Sequence, residues 1–208
     1  AGIERWNSAS SLYNDRNKEL YRVVMDVNQQ NATGRWTSPW RVIIVGKLED
    51  VVASTLVTDV SEPCRIEDTS WIKPGSVSWI YWAYNHGSND CQIIRQYVDM
   101  AVDMHWPYVL IDAEWDEMKN GGSIEDAIRY AHDRGIKPLL WYNSSTAWLK
   151  AWGAPGPHER LNAPELRERE FAWLEKMGVA GVKIDFFAGD KQETMEYCID
   201  LLECAARH

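Results

Sequence analysis

From residue 76 onward the chain alternates short apolar runs with segments of helix length, and this rhythm limits it to architectures in which parallel strands are joined by crossover helices. The first run is Val77-Ser78-Trp79-Ile80-Tyr81-Trp82. After Gly87-Ser88-Asn89-Asp90 a helix is predicted through Met104, with Ser88 or Asn89 as its cap. The second run, Tyr108-Val109-Leu110-Ile111, ends at Asp112; beyond Gly121-Gly122 a helix starts at Ser123, where an acidic residue three positions on suits a capping box, and Gly135 stops it. The third run, Pro138-Leu139-Leu140-Trp141-Tyr142, precedes a long Gly/Pro-containing loop and a helix over roughly residues 163–177, closed by Gly178. The fourth, Gly181-Val182-Lys183-Ile184-Asp185-Phe186, precedes a last helix over about 191–206.

Four such units define an α/β fold, either a doubly wound sheet or the first half of a (β/α)8 barrel of the TIM type. Periodicity fits both. No Gly-x-Gly-x-x-Gly follows any of the strands, which removes the usual support for a dinucleotide-binding sheet. Residues 1–75 form a short β-rich lead-in, with strands predicted over 19–27 and 40–45 and turn-rich sequence between them.

Composition narrows the functional classes. With 45% apolar and 25% charged residues in 208, the chain has the make-up of a soluble globular protein with one sizeable core or two small ones. No apolar stretch approaches the roughly 20 residues of a membrane span. The opening Ala1-Gly2-Ile3-Glu4-Arg5 has neither Met nor the apolar core of a targeting segment, as expected of a processed or cut terminus. A net charge of −9 without a dense Lys/Arg cluster argues against nucleic acid as a partner. Cys64, Cys91, Cys198 and Cys204 are read as packing residues. His86, His105, His132, His158 and His208 are scattered, with no His-x-x-x-His pair and no Cys partner at metal-site spacing, and are read as ordinary. The 12 tryptophans suit either a large core or the apolar faces of sugar rings.

Polar residues at the carboxyl ends of parallel strands face the ligand side in both candidate folds, which singles out Trp82, Asp112, Asn143 and Asp185. Two carboxylates at such ends are the working parts of glycoside hydrolysis; equally, each Asp alone could cap the loop that follows. Asp112 begins Asp112-Ala113-Glu114-Trp115-Asp116, where acceptors flank an indole. That grouping suits a sugar, with Trp115 as the stacking ring, and also suits a solvated acidic loop. Lys183 and Asp185, two apart on one strand, share a face, either as a carboxylate nucleophile with a cation beside it or as a buried ion pair. The hydroxyl-rich Asn143-Ser144-Ser145-Thr146 has no Gly-x-Ser-x-Gly turn around it, so a serine hydrolase is not expected.

Trp36-Thr37-Ser38-Pro39-Trp40-Arg41-Val42-Ile43 and Glu62-Pro63-Cys64-Arg65-Ile66-Glu67-Asp68-Thr69-Ser70-Trp71-Ile72-Lys73-Pro74-Gly75 together resemble the start of the catalytic domain of glycoside hydrolase family 97. Tyr108-Val109-Leu110-Ile111-Asp112 and Gly178-Val179-Ala180-Gly181-Val182-Lys183-Ile184-Asp185-Phe186 look like its second and fourth barrel strands. The likeness covers about residues 36–208, the opening stretch only loosely. It implies a (β/α)8 barrel between a β-sandwich and a small β domain, acting on α-glucosides or α-galactosides with calcium at the active site. Residues 76–208 then correspond to the first half of the barrel.

Members of this family divide by mechanism. Inverting members carry a Glu base after the third strand, where this chain has Asn143; retaining members, typically α-galactosidases, place a nucleophilic Asp at the end of the fourth, where it has Asp185. The resemblance thus implies retaining hydrolysis of α-galactoside oligosaccharides on Asp185, and Asp112, Lys183, Trp82, Trp115 and Asn143, read from their places at and near the strand ends, are the expected substrate-binding residues. An α-glucosidase of the same family and a non-catalytic carbohydrate-binding or assembly module are the alternatives. The acid/base Glu and most calcium ligands belong to later strands, and the family implies a periplasmic or secreted location. A half barrel has two open edges and an apolar inner face, so the chain by itself is expected to self-associate and to lack activity.

Overall fold

A computed structural model describes residues 2–3, 23–24, 34–35, 42–81, 83, 87–147, 153–189 and 192–208. The chain forms two compact units, one of residues 1–26 and 74–208, the other of residues 27–73. In the second unit, helices α1 (Leu48–Ala53) and α2 (Leu56–Asp59) bury no residue. Residues 42–45, part of a predicted strand, have no regular structure, and Ile43 and Val45 are exposed. A strand persists only where a neighbour takes its backbone hydrogen bonds, and among the described residues these have no such neighbour. Of the predicted strand at 19–27, Val23–Val24 (β2) pairs antiparallel with Gly2–Ile3 (β1).

In the larger unit, β3 (Val77–Trp79), β4 (Tyr108–Ile111), β5 (Lys137–Asn143) and β6 (Gly181–Asp185) form one parallel sheet in the order β3-β4-β5-β6. Between them run α3 (Cys91–Asp103), α4 (Ile124–Asp133) and α5 (Pro164–Met177), and α6 (Gln192–Ala205) follows β6. Spatial order follows chain order. A doubly wound sheet reverses its order at a switch point, and these four strands show none. Because parallel crossovers are right-handed, a strictly sequential order places every connecting helix on one face. The buried cluster agrees: Val109, Ile111, Leu140 and Tyr142 pack with Ile94, Val98, Ala127, Ile128, Phe171 and Leu174 from the helices.

Local chemistry sets the element ends. The Ser123 hydroxyl accepts from the Asp126 backbone N–H while the Asp126 carboxylate accepts from that of Ser123, the reciprocal box expected. Pro164 opens α5 and Gly178, at φ +71°, closes it in the left-handed conformation that glycine adopts at least cost. The cap of α3 is Asp90, not Ser88 or Asn89: its carboxylate accepts from the Gln92 and Ile93 N–H groups. The two expected caps are engaged elsewhere, Ser88 Oγ accepting from Asp112 N (2.8 Å) and Asn89 Nδ2 donating to Glu114 Oε2 (3.1 Å). The first strand is shorter than its apolar run because Ala83 N turns back onto Ile80 O.

Candidate active site

Alternation along the strands separates two sets of side chains. Opposite the helices, the register aligns Trp79, Leu110, Leu139 and Gly181 in one row, Trp141 with Lys183 in the next, and Asn143 with Asp185 at the tip. Asp112, one residue beyond β4, extends the same face. The carboxyl ends therefore bring Asp112, Lys183 and Asp185 together with two indoles.

Lys183 Nζ lies 3.1 Å from Asp112 Oδ2, 3.8 Å from Asp185 Oδ2 and 4.7 Å from the centre of the Trp79 ring. Trp79 Nε1 donates to the same Asp112 oxygen at 2.7 Å, and Asp112 Oδ1 accepts from Ala113 N at 2.8 Å. Asp112 is 3% exposed, so both of its oxygens are committed inside the protein. Asp185 differs. Its side chain is 43% exposed, Oδ1 accepts from Phe186 N at 2.9 Å, and Oδ2 receives a long 3.4 Å bond from Trp141 Nε1. One carboxylate is a buried anchor for the lysine; the other, held by the same lysine, meets solvent. A single cation between two anions offsets their mutual repulsion, and its one-third exposure moderates the cost of desolvating the group.

The turn after Asp185 is tightly held. Phe186 has φ +61°, a conformation that costs a residue with a Cβ energy unless its surroundings impose it. The buried Ser144 imposes it: its N–H donates to Asp185 O (2.9 Å) and its hydroxyl to Phe186 O (2.8 Å). The Phe186 ring meets Trp141 edge-on at 5.7 Å.

Other residues singled out from the sequence lie differently. Asn143 stands opposite Asp185 but is 1% exposed, with Nδ2 donating to Pro155 O (3.1 Å) and Oδ1 accepting from Ser145 N (2.8 Å). Its amide shapes the loop after β5. Trp115 is 2% exposed and sits on the helix side of the sheet, its Nε1 donating to Trp141 O (2.7 Å), stacked on Trp173 and edge-on to Tyr142. The left-handed Glu114 (φ +70°) turns the chain away from the strand end immediately before it. Trp115 borders a cleft of about 600 Å³ with Asp116, Arg160, Glu170 and Trp173, apart from the strand-end carboxylates. Trp82 lies outside the described residues.

Trp79 and Trp141 were not among the residues singled out, and strand alternation carries the signal that finds them: Trp141 is two before Asn143, hence on its face, and Trp79 is level with Leu110, one row below Asp112. Among the described residues, no three Asp, Glu, His or Cys ligand atoms converge at this end of the sheet. With Lys183 between its two carboxylates, the described part of the site does not fit a calcium ion, which takes 6–8 oxygen ligands. No described helix is long and apolar enough to cross a membrane.

Known proteins resemble this chain in sequence and in fold. A Streptomyces bingchenggensis protein named a probable retaining alpha-galactosidase is 30% identical over 97% of this chain and 31% of its own length. The retaining alpha-galactosidase of Bacteroides thetaiotaomicron is 28% identical over 82% of this chain and 26% of its own. This chain thus spans about a third or less of the relatives it matches. Among solved structures, a beta-arabinopyranosidase is 34% identical over 76% of this chain and 25% of its own, with a TM-score of 0.68. A family 97 enzyme from Pseudoalteromonas sp. strain K8 in complex with panose shares the fold at 18% identity and a TM-score of 0.59, over 76% of this chain and 29% of its own. The family pattern described as Glycosyl-hydrolase 97 N-terminal matches residues 7–63, and that described as Glycoside hydrolase 97 matches residues 75–208. The chain belongs to glycoside hydrolase family 97.

Proposed function

We propose that this chain is part of a retaining α-galactosidase in which Asp185 is the nucleophile. The observation that carries the reading is the contrast between the strand-end carboxylates: Asp112 is buried and fully engaged, whereas Asp185 is half exposed, aimed by Phe186 N and Trp141 Nε1, with Lys183 behind it. In this mechanism an Asp185 oxygen attacks the anomeric carbon, the C–O bond to the aglycone breaks as a second carboxyl group protonates the leaving oxygen, and water then releases the sugar from the ester. A retaining pair lies about 5 Å apart, and the acid/base residue is assigned to a strand outside this chain. Residues 76–208 are read as the first four units of a (β/α)8 barrel after a lead-in of residues 1–75; sequential strand order and one-sided helices support this. A calcium ion, as the family implies, would take its ligands mostly from outside this chain. The exposed faces of the strand-end side chains would take an oligosaccharide, a class represented by the panose held by the Pseudoalteromonas enzyme. Self-association through β3 and β6, the sheet edges, and a periplasmic or secreted location complete the reading.

Two substrates other than α-galactosides deserve a test. The likeness to a beta-arabinopyranosidase favours a β-L-arabinopyranoside, which has the ring stereochemistry of an α-D-galactopyranoside without the hydroxymethyl group. An α-glucoside is the other, differing at the 4-hydroxyl. The ratio of kcat/KM for the three p-nitrophenyl glycosides, measured on the enzyme containing the complete barrel, decides among them, and a preference for the α-glucoside would overturn the galactoside assignment. Asp185→Gly in the same enzyme, supplied with azide and an activated α-galactoside, is expected to release β-galactosyl azide. Failure to form that adduct, with the variant folded, would remove Asp185 from the nucleophile's role.

A further inference from the structure

On the opposite side of β6 from the catalytic candidates, α5 and α6 bring three different metal-binding groups together. Cys204 and His208 are four residues apart at the end of α6, and the turn continues beyond the helix through bonds from Arg207 N to Cys204 O and from His208 N to Ala205 O. Four residues is one helical turn, so both side chains face the same way. The sequence reading gave the histidines no Cys partner at metal-site spacing, yet Cys204-x-x-x-His208 has the same helical spacing as a His-x-x-x-His pair. Glu168, on α5, completes the group: its Oε2 lies 3.4 Å from Cys204 Sγ and its Oε1 3.1 Å from His208 Nε2. The three ligand atoms all lie within 4.8 Å of one another.

A tetrahedral zinc ion sets similar spacings, but here the two short contacts fall on different Glu168 oxygens, so the carboxylate must turn to present one oxygen to an ion. Bonds of about 2.3 Å to sulfur and 2.0 Å to nitrogen or oxygen separate adjacent ligands by about 3.5 Å for sulfur and oxygen and 3.3 Å for nitrogen and oxygen. The groups behind the ligands also match what a metal centre needs. His208 Nδ1 is 3.1 Å from Glu175 Oε2, so with an ion on Nε2 the Nδ1 proton would have a carboxylate behind the ring to receive it. The imidazole lies nearly parallel to the buried Phe171 ring, with centroids 6.3 Å apart. Arg207 Nη2 holds Glu168 Oε2 at 2.8 Å, which leaves Oε1 to turn toward an ion. Cys204 is 2% exposed whereas Glu168 is half exposed, so the group is walled on one side and open to solvent on the other.

We propose that Glu168, Cys204 and His208 form a binding site for a zinc-class divalent cation, with a water molecule in the fourth position. Binding forms a metal–sulfur bond as the Cys204 thiol gives its proton to solvent, so no oxidant or reductant is needed. A thiolate and an imidazole select a borderline or soft ion over calcium or magnesium. Its place, clamping α5 to α6, gives it a structural role separate from sugar chemistry, and it does not rest on the assignment of Asp185.

The test is titration of the full chain with Co2+, whose thiolate charge-transfer absorption reports sulfur ligation, followed by displacement with Zn2+. One equivalent of cobalt is expected to give the band, and zinc to abolish it. Cys204→Ser should remove the band altogether, and Glu175→Gln, which leaves all three ligands in place, should weaken affinity roughly 10- to 100-fold. Zinc should also raise the thermal midpoint of the wild-type chain and leave that of Cys204→Ser unmoved. No charge-transfer band at stoichiometric cobalt, or a band that survives Cys204→Ser and so comes from another cysteine, would overturn the proposal.

Discussion

Replacing Asp112 by Asn tests whether the strand-end network is as tightly committed as its geometry indicates. The Asp112 carboxylate accepts three hydrogen bonds at 3.1 Å or less: Trp79 Nε1 and Lys183 Nζ on Oδ2, and Ala113 N on Oδ1. An amide has only one acceptor oxygen. If that oxygen keeps Trp79 and Lys183, the new NH2 group confronts the Ala113 N–H; if it is flipped, the NH2 confronts both the indole N–H and the ammonium. In the better orientation one buried donor loses its partner, at about 1–3 kcal/mol, and Lys183 exchanges an ion pair for a hydrogen bond to a neutral amide, a further loss of about 1 kcal/mol. Lys183 is one-third exposed and keeps Asp185 at 3.8 Å, so water and the second carboxylate recover part of that second loss. The expected destabilisation is about 1–4 kcal/mol. Urea unfolding of this chain, followed by tryptophan fluorescence, measures it as a drop in midpoint at unchanged slope. A loss below about 0.5 kcal/mol, the size of an ordinary surface change, would refute the claim that Asp112 is a buried anchor.

In the complete enzyme, Ser144→Ala frees the Phe186 carbonyl from its hydroxyl partner and should lower kcat about tenfold or more with KM little changed, because Asp185 loses its aim rather than its substrate contacts. Steady-state kinetics check this, and a change confined to KM would count against it. Trp115→Ala empties a core position and should cost roughly 3–5 kcal/mol in urea unfolding, whereas an indole serving only as a sugar platform would leave stability nearly unchanged. Burial pushes the Tyr142 hydroxyl well above its ordinary range, with Glu170 adding to the effect, and likewise raises Tyr197 to about 12. A raised folded value means stability fully present below the unfolded value of 10 and lost as pH rises toward 12, so unfolding and tyrosinate absorbance should appear together above about pH 10. Tyrosinate absorbance from every tyrosine in a still-folded chain would contradict it.

Much of the architecture was legible along the chain because its signals are local. Ser123 with Asp126, Gly178 as a helix stop, and the alternation in Lys183-Ile184-Asp185 depend only on spacing within one element, and each element formed where those signals put it. Trp40-Arg41-Val42-Ile43-Ile44-Val45 failed as a strand prediction over residues 42–45 because strand formation depends on a partner, which an apolar run does not specify. Asp90 displaced Ser88 and Asn89 as the cap of α3 for a related reason: those side chains are spent on the Asp112 and Glu114 backbone and carboxylate, 24 and 25 residues away.

The candidate site divides along the same line. Spacing alone put Lys183 and Asp185 on one face and located both aspartates at strand ends, since a pleated strand alternates whatever surrounds it. Only the assembled sheet decided that Asp112 is consumed by Trp79 and Lys183 while Asp185 stays open, and that Trp115 belongs to the core. Those distinctions depend on which distant groups arrive within hydrogen-bond reach, and the Glu168, Cys204 and His208 cluster, drawn from two helices, arises in the same way. Sequence periodicity orders neighbours within an element. Contacts between elements, set by register and by helix packing, determine whether a polar side chain is occupied by the protein or left for a ligand.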